Sequence, residues 1–424
     1  MKPNSTIAQV LRRPRSLSVA AGGAALAVAM VLPVTAAAAT TPAEVGTWTA
    51  SPIAGATSSS CPAGAGGIAN QTVRDIVYPS ISGSKVRVRL SNTFGTAPLG
   101  VGAVSIAVAK TGASTVASTT RALTFGGKKT ISIPPGAEVL SDWVDFSVTQ
   151  GQDLALSVYV PELTGPATFH AATEQNSFLS TTGNFAKTAG AADFPTTISC
   201  WMFADGIDVA PAARVLGSVV AFGDSITDGV GSNVNANDRW PNILARRFDD
   251  RAGKTLSVVD EGISGNRVLS DAGTAGVSAL ARFGRDALAQ PGAKDIILLE
   301  GINDIGQSDL GTTPLVTSAD LIAGYQQLIA QAHAAGLRIF GATLTPFKGA
   351  FYWSPQGEQT REAVNKWILT SGAFDGTIDF AAITADPDDA LVYNPAFDSG
   401  DHLHPNDAGY QAMADAINLK TLIN

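Results

Sequence analysis

The first half of the chain is patterned for short strands. Residues 85–90 alternate polar and apolar side chains, which is the period of a strand with one buried face. Similar runs, separated by glycine and proline, occur at residues 104–108, 130–133, 139–148 and 154–160. No convincing helical repeat interrupts them between Val45 and about Val209. The pattern predicts a β-sandwich or jelly-roll-like domain over residues 40–212.

Beyond a short linker near residues 208–214, strands alternate with longer segments of helical period. Strands are predicted at residues 216–222, 256–259, 296–300, 339–344 and 377–380. Helices are predicted at residues 241–248, at 318–336 with Ser318 as the N-cap and Gly336 as the stop, around 364–368, and from 405 to about 419. Five strands with intervening helices predict a flavodoxin-like, doubly wound parallel sheet over residues 213–424.

The N-terminal 39 residues have the pattern of an export signal. The basic side chains of the leader are Lys2, Arg12, Arg13 and Arg15. Residues 17–34 are apolar and rich in alanine and valine, and residues 36–39 offer small side chains for cleavage. We predict a signal peptide over residues 1–39 and a secreted, extracellular protein without a stable membrane anchor. An uncleaved anchor is the competing interpretation, and the pair Arg12-Arg13 leaves the export route open.

Composition narrows the classes of partner. The net charge is −8, only 15% of residues are charged, and no Lys/Arg run occurs outside the N-terminus, so nucleic acid and anionic membranes are poor candidates. Cys61 and Cys200 are the two cysteines, and in an exported chain they are most simply one disulfide. Clusters of Cys and His with metal-ligand spacing are missing, so no metal or organic cofactor is predicted.

Four short motifs carry candidate chemistry. Gly-Asp-Ser at 223–225 directly follows the first apolar strand of the second domain. A glycine, Gly265, follows the second strand, Gly-Ile-Asn-Asp at 301–304 follows the third, and Asp-His-Leu-His at 401–404 precedes the last predicted helix. Because the carboxyl ends of parallel strands meet at one edge of a sheet, the fold is expected to bring these motifs together.

In this order the motifs resemble the four blocks of the SGNH/GDSL serine hydrolases. The resemblance covers the chain from about Val215 to its C-terminus, and the family's invariant residues correspond to Ser225, Gly265, Asn303 and His404. The preceding half resembles the N-terminal β domain of a secreted actinobacterial-type branch, beginning at residues 46–52. The resemblance implies the SGNH hydrolase fold and an oxyanion hole made of the Ser225 amide, the Gly265 amide and the Asn303 side chain.

The chemistry of these residue types fits ester hydrolysis. A serine hydroxyl needs a base within hydrogen-bond reach, for which His404 is the candidate, and the imidazolium that forms is stabilised by a carboxylate such as Asp401. His402 is the competing base, but the Asp-x-x-His spacing favours His404. Asp224, Asp304, His170 and His333 are interpreted as structural.

The sequence differs from the family pattern in the second of the four motifs. Asp260 and Glu261 replace the usual Asn-Ala, while Gly265 is kept. We expect the pH optimum to be altered more than the activity itself.

The sequence thus predicts a secreted serine esterase that forms an acyl-enzyme on Ser225 and acts on a small-molecule or polysaccharide ester. Tyr352 and Trp353, in an aromatic loop after the fourth strand, are predicted to line the substrate cleft by stacking on a sugar or aromatic acyl group. Packing of this loop is the alternative. The alternative functions are a non-catalytic carbohydrate-binding protein with a decayed hydrolase domain and a surface-anchored structural module, and the oligomeric state stays open.

Overall fold

The computed structural model describes residues 43–423, apart from residues 56–60, 63 and 65. The predicted signal peptide, residues 1–39, lies outside the described residues. Among the helices of the described part, none is long and apolar enough to cross a membrane.

The N-terminal part of the described chain is built of short strands. Their bounds are β1 Val45–Thr49, β2 Gln71–Val77, β3 Gly83–Ser91, β4 Leu99–Val101, β5 Ala103–Val108, β6 Arg121–Ala122, β7 Ile131–Ile133, β8 Glu138–Leu140, β9 Val144–Val148, β10 Leu154–Val160, β11 Phe169–Ala171, β12 Ser177–Thr182, β13 Thr196–Ile198, β14 Cys200–Met202 and β15 Ala204–Pro211.

Two antiparallel sheets dominate this β part. One has the order β1-β15-β3-β8 with β9 also paired to β3, and the other has the order β13-β12-β2-β10-β5-β6. Their apolar faces contribute to one buried cluster that includes Val88, Val158 and Ile207, each fully buried. The predicted β-sandwich is therefore confirmed.

The single strand predicted at residues 139–148 is wrong, because the chain turns in its middle. The carboxylate of Asp142 accepts hydrogen bonds from the amides of Gly126 (3.0 Å) and Gly127 (2.8 Å), and the Asp142 amide bonds to Thr124 O. These bonds direct the backbone away from the ladder and separate β8 from β9.

The C-terminal part alternates strands and helices. Their bounds are β16 Val215–Gly223, α1 Ser225–Asp228, α2 Trp240–Asp249, β17 Thr255–Gly262, α3 Ala279–Phe283, β18 Ala293–Leu299, α4 Ile302–Asp309, α5 Ser318–Ala334, β19 Arg338–Ala342, α6 Pro355–Thr370, β20 Gly376–Ile378, α7 Phe380–Thr384, α8 Asp407–Ala416 and α9 Leu419–Ile423.

The five strands form one parallel sheet in the order β17-β16-β18-β19-β20. Numbered along this domain the order is 2-1-3-4-5, which is the flavodoxin-like arrangement that the sequence predicts. The central strand β16 is buried on both faces, and its Phe222 is in register with Glu261 of β17 and Leu298 of β18. Strands β17, β16 and β18 therefore end together, and the loops that follow them share one edge.

Two helix boundaries differ from the sequence predictions. The N-cap of α5 is Thr317 rather than Ser318, because Thr317 and Asp320 form a reciprocal capping box. The last predicted helix, from 405 to about 419, is shorter in the structure. The side chain of Asn406 accepts from the Gly409 amide and starts α8, which ends at Ala416, and the separate helix α9 begins at Leu419.

The β part packs directly on the parallel sheet, and the described residues from 43 to 423 belong to one compact unit. Strand β1 lies beside β17, where the Thr49 hydroxyl donates to Asp260 O (3.1 Å) and the Gly46 amide donates to Pro291 O (3.1 Å). Farther along, the Gln150 amide group donates to Ala245 O (2.8 Å). These hydrogen bonds fix the position of the β part against the parallel sheet.

Cys61 and Cys200 form a disulfide within the β part, as predicted, with a sequence separation of 139 residues. Closing so long a loop stabilises the folded state by up to about 5 kcal/mol in the chain-entropy account. The bond fastens the segment after β1 to strand β14, the partner of β11.

Candidate active site

Ser225 is presented by the tight junction between β16 and α1. Strand β16 ends at Gly223, and the side chain of Asp224 caps α1 by accepting from the Ile226 amide (3.0 Å). A Cβ on Gly223 would lie 2.3 Å from both Leu299 O and Thr227 Oγ1, so only glycine fits this close approach. The serine is thus the first residue of a helix at the carboxyl edge of the sheet.

His404 and Asp401 reach Ser225 from the loop that precedes α8. His404 Nε2 lies 2.8 Å from Ser225 Oγ although the two residues are 179 positions apart. His404 Nδ1 lies 2.6 Å from Asp401 Oδ2, and Asp401 Oδ1 accepts from the amides of Leu403 and His404, both at 2.9 Å. The arrangement gives a hydroxyl, a base and a carboxylate in one hydrogen-bonded line.

The carboxylate of this line is held in its ionised form. Partial burial of Asp401 by itself would raise its pKa, but the hydrogen bonds from the His404 ring and from the His404 and Leu403 amides outweigh burial and place the pKa well below its ordinary value. Asp401 therefore stays negative at any pH at which His404 could act as a base.

His402, the competing base, is directed elsewhere. Its Nδ1 lies 2.7 Å from Asp398 Oδ2, and its ring packs over Gly349. The backbone of His402 is left-handed, with φ of 62°, which turns its side chain away from that of His404. Within the described residues, His404 is thus the histidine whose ring contacts Ser225.

The three predicted donors of the oxyanion hole each have an N–H hydrogen that bonds to no other described residue. Among the described residues, neither the Ser225 amide nor the Gly265 amide has a hydrogen-bond acceptor, and Gly265 is left-handed with φ of 79°. Asn303 lies in the first turn of α4, and its Nδ2 donates one hydrogen bond to Asn266 O (3.0 Å). The second hydrogen of that amide is left for a ligand.

Tyr352 is buried and contacts Asn303, and its predicted stacking on a substrate stays a prediction. Its ring is 2% exposed, and its hydroxyl donates to Asn303 Oδ1 (3.3 Å). Because the bond engages the oxygen of the Asn303 amide, it orients the Nδ2 group of that side chain.

The exposed aromatic of the same loop is Phe351, which the sequence analysis did not single out. Phe351 is 72% exposed, and its ring centroid lies 4.4 Å from that of Tyr352. Trp353 is half-buried and donates from Nε1 to Glu358 Oε2 (3.1 Å). Its predicted place in the cleft stays a prediction.

The two aspartates interpreted as structural make backbone contacts. Asp304 accepts from the amides of Val268 (2.7 Å) and Leu269 (3.0 Å), which ties α4 to the loop after Gly265. Burial raises the pKa of Asp304 to about 6 and that of Asp224 to about 7. Both side chains therefore organise loops around the serine.

A buried arginine beneath the site was missed by sequence reasoning. Arg282 donates to Gly223 O (2.8 Å), to Glu261 O (2.8 Å) and to Asn266 Oδ1 (2.9 Å). It therefore joins the ends of β16 and β17 to the Gly265 turn. In the sequence, Arg282 and Asp286 look like an ordinary surface pair at i, i+4, and no other signal marks them.

Acidic side chains surround this arginine. Glu300 Oε2 lies 3.3 Å from Arg282 Nη2, and Glu261 accepts from the Ser51 hydroxyl (2.6 Å). Burial raises the pKa of both glutamates well above the ordinary value. Within the described part of the chain, no group of three or more His, Cys, Asp or Glu side chains is placed to hold a metal ion.

Comparison with models of known protein families gives one match. A model of the GDSL-like lipase/acylhydrolase family matches residues 221–412. A comparison with curated protein sequences finds no match.

Three solved structures are each similar to about half of this chain. A GDSL-like lipase from Bacteroides thetaiotaomicron VPI-5482 is 18% identical over 48% of this chain and 87% of that chain, with a TM-score of 0.37. A mutant acetyl-xylooligosaccharide esterase from Geobacillus Stearmophilus is 21% identical over 49% and 94%, with a TM-score of 0.38. An alpha/beta hydrolase from the metagenome of Lake Arreo, Spain, is 21% identical over 49% and 96%, with a TM-score of 0.36.

All three similarities cover about half of this chain. It is the family match over residues 221–412 that places this part of the chain in the GDSL-like lipase/acylhydrolase family, and the protein is a carboxylic ester hydrolase.

Proposed function

We propose that this protein is an exported serine esterase that forms an acyl-enzyme on Ser225, with His404 as general base. The observation that carries the proposal is the hydrogen-bonded line from Asp401 through His404 to Ser225, at 2.6 Å and 2.8 Å. A serine at the start of a helix, beside a base that a carboxylate orients, is the arrangement that nucleophilic acyl transfer requires.

In the acylation step, His404 Nε2 takes the proton of Ser225 Oγ as that oxygen attacks the carbonyl carbon of the ester. The carbonyl oxygen becomes negative and is stabilised by the Ser225 amide, the Gly265 amide and Asn303 Nδ2. His404 then gives its proton to the departing alcohol oxygen, and the acyl group stays on Ser225.

In the deacylation step, a water molecule takes the place of the alcohol. His404 accepts a proton from this water, whose oxygen attacks the acyl carbon, and the same three donors stabilise the second oxyanion. The collapse returns the proton to Ser225 Oγ and releases the acid. Asp401 keeps the imidazole in the tautomer that leaves Nε2 free to accept.

Export is part of the same proposal. The leader pattern of residues 1–39 supports it, and the disulfide between Cys61 and Cys200 fits an oxidising compartment. We propose residues 40–212 as the β domain and residues 213–424 as the catalytic domain. The alternative, a carbohydrate-binding protein with a decayed hydrolase domain, predicts that no ester is turned over.

The central test is turnover of p-nitrophenyl acetate by site variants. Ser225→Ala and His404→Asn are expected to lower kcat by at least about 10³-fold, because removing the nucleophile or its base abolishes the acyl-enzyme route. His402→Asn is the matched control, since asparagine tolerates the left-handed backbone at that position. We expect it to keep near wild-type kcat. Full activity of the His404 variant would refute the assignment of the base.

The hydroxyl of Tyr352 gives a second prediction. Tyr352→Phe keeps the buried ring and removes the bond to Asn303, so we expect kcat for p-nitrophenyl acetate to fall about 3- to 10-fold with little change in KM, the equivalent of one ordinary hydrogen bond. Tyr159→Phe is the matched control, because it removes a tyrosine bond to the amide oxygen of Asn70 in the β part. Equal effects in the two variants would contradict the orienting role.

The substrate class is proposed from the loop that carries Phe351. An exposed ring 4.4 Å from Tyr352, which itself contacts Asn303, offers an apolar surface to a group attached to the ester. We propose that this surface favours aromatic acyl groups, such as feruloyl, over acetyl.

A panel of acetyl, feruloyl and long-chain esters tests this choice. Phe351→Ala is expected to lower kcat/KM for the feruloyl ester about 10-fold, the contribution of one aromatic contact, and to leave the acetyl ester nearly unchanged. Leu163→Ala, which removes an exposed apolar side chain of the β part, serves as the control. An unchanged order of preference in Phe351→Ala would exclude this loop from acyl recognition.

A further inference from the structure

His170, in strand β11, is buried in a setting that requires both of its ring protons. Its Nδ1 lies 2.8 Å from the backbone oxygen of Ser51, and its Nε2 lies 3.1 Å from Asp228 Oδ1. Both neighbours are acceptors, so a neutral ring would set one lone pair against an oxygen. The ring also stacks on Trp201, with centroids 5.4 Å apart. The contacts therefore hold His170 as an imidazolium paired with Asp228.

Asp228 contacts both His170 and the turn that carries Gly265. It is the last residue of α1, the helix that begins at Ser225, and its Oδ2 accepts from the Ser264 amide (3.0 Å) and the Ser264 hydroxyl (2.7 Å). The two segments are in close contact, since a Cβ on Gly262 would lie 2.3 Å from the Asp228 amide nitrogen. One carboxylate thus spans from His170 to the residue just before the Gly265 amide.

The departure from the family pattern lies at the same junction. Glu261 accepts from the hydroxyl of Ser51, and the backbone oxygen of Ser51 is the acceptor for His170. Ser51 therefore joins Glu261 and His170 from the β part. The carboxylate of Glu261 thus has a hydrogen-bond partner, Ser51, that belongs to the β part. A hydrolase domain without a β domain would lack this partner.

We propose that His170 is a positioning residue for the oxyanion hole: the β domain, through the contact of His170 with Asp228, fixes the Ser264–Gly265 turn and so aims the Gly265 amide. The inference rests on the proposed esterase function. The β part is then a component of the catalytic site, and the hydrolase domain alone lacks one support of its oxyanion hole.

The charges around His170 favour its protonated form. Burial alone would lower the pKa of the imidazole, but the charge and hydrogen bond of Asp228, the bond to Ser51 and the charge of Asp260 raise it above its ordinary value. The other charged groups nearby are Arg239, whose guanidinium lies 5.7 Å from the Trp201 ring centroid and 3.9 Å from Asp260, and Glu174, which interacts with Asp228 and Arg239.

The sign of the pH effect follows from the raised pKa. Below it, His170 is charged and Asp228 keeps its place. As the pH rises through it, the ring loses a proton and a lone pair faces Asp228 Oδ1, so this contribution to kcat and to folding stability is lost on the alkaline side. Asp228→Asn removes that dependence, because an amide can donate to neutral His170 and still accept from Ser264.

The test compares variants of the full chain with p-nitrophenyl acetate, with kcat normalised to the Ser225 that reacts with a fluorophosphonate. We expect His170→Leu to lower normalised kcat about 10- to 100-fold with little change in KM, the usual effect of losing a residue that orients a reacting group. Ser264→Ala, which removes only one side-chain hydrogen bond, should lose a few-fold. Asp228→Asn should retain most of the wild-type kcat and lack the alkaline decline.

The control is His333→Leu. It removes a half-exposed histidine of α5 that pairs with Asp375, and its normalised kcat should match that of the wild type. Wild-type normalised kcat in both His170→Leu and Ser264→Ala would overturn the positioning role, and so would an alkaline decline that persists in Asp228→Asn. If His170→Leu does not fold, Ser264→Ala and Asp228→Asn decide alone. An inactive wild type would instead refute the esterase function itself.

Discussion

The candidate site depends on one constraint: strands β17, β16 and β18 must end in register at the same edge of the parallel sheet. Residues 179 positions apart in the chain meet at 2.8 Å because the loop before α8 returns to this edge. Arg282 reinforces the constraint from below, since its guanidinium bonds the last residue of β16 and the end of β17 at once. A local change in register would separate the hydroxyl from its base.

Much of this arrangement could be predicted from the sequence because the signals are local. The apolar run before Gly223 specifies a buried strand, and the motifs at 265, 301–304 and 401–404 each follow a strand or precede a helix. The predicted topology then brings these motifs together, because parallel strands place their carboxyl ends at one edge of the sheet. The resemblance to the SGNH/GDSL serine hydrolases identifies Ser225, Gly265, Asn303 and His404, and the predicted topology places their loops at one edge of the sheet.

The contacts that orient these residues could not be predicted, because they depend on rotamers and on distant partners. Three consecutive aromatic residues in a loop have no period, so nothing in the sequence tells that Tyr352 faces inward to Asn303 while Phe351 faces solvent. His170 reaches Asp228 only because the β part packs against the parallel sheet and its loops. In the sequence, Asp260 and Glu261 are only a departure from the family pattern. The structure gives Glu261 a partner in the β part, because it accepts a hydrogen bond from the Ser51 hydroxyl.

The measurement that tests the account most directly is the crystal structure of the protein after reaction with diethyl p-nitrophenyl phosphate. We expect phosphorus bonded to Ser225 Oγ and the phosphoryl oxygen about 3 Å from the Ser225 amide, the Gly265 amide and Asn303 Nδ2, the distance of preorganised donors. An adduct on another residue, or a phosphoryl oxygen out of reach of these three donors, would contradict the convergence on which every step rests.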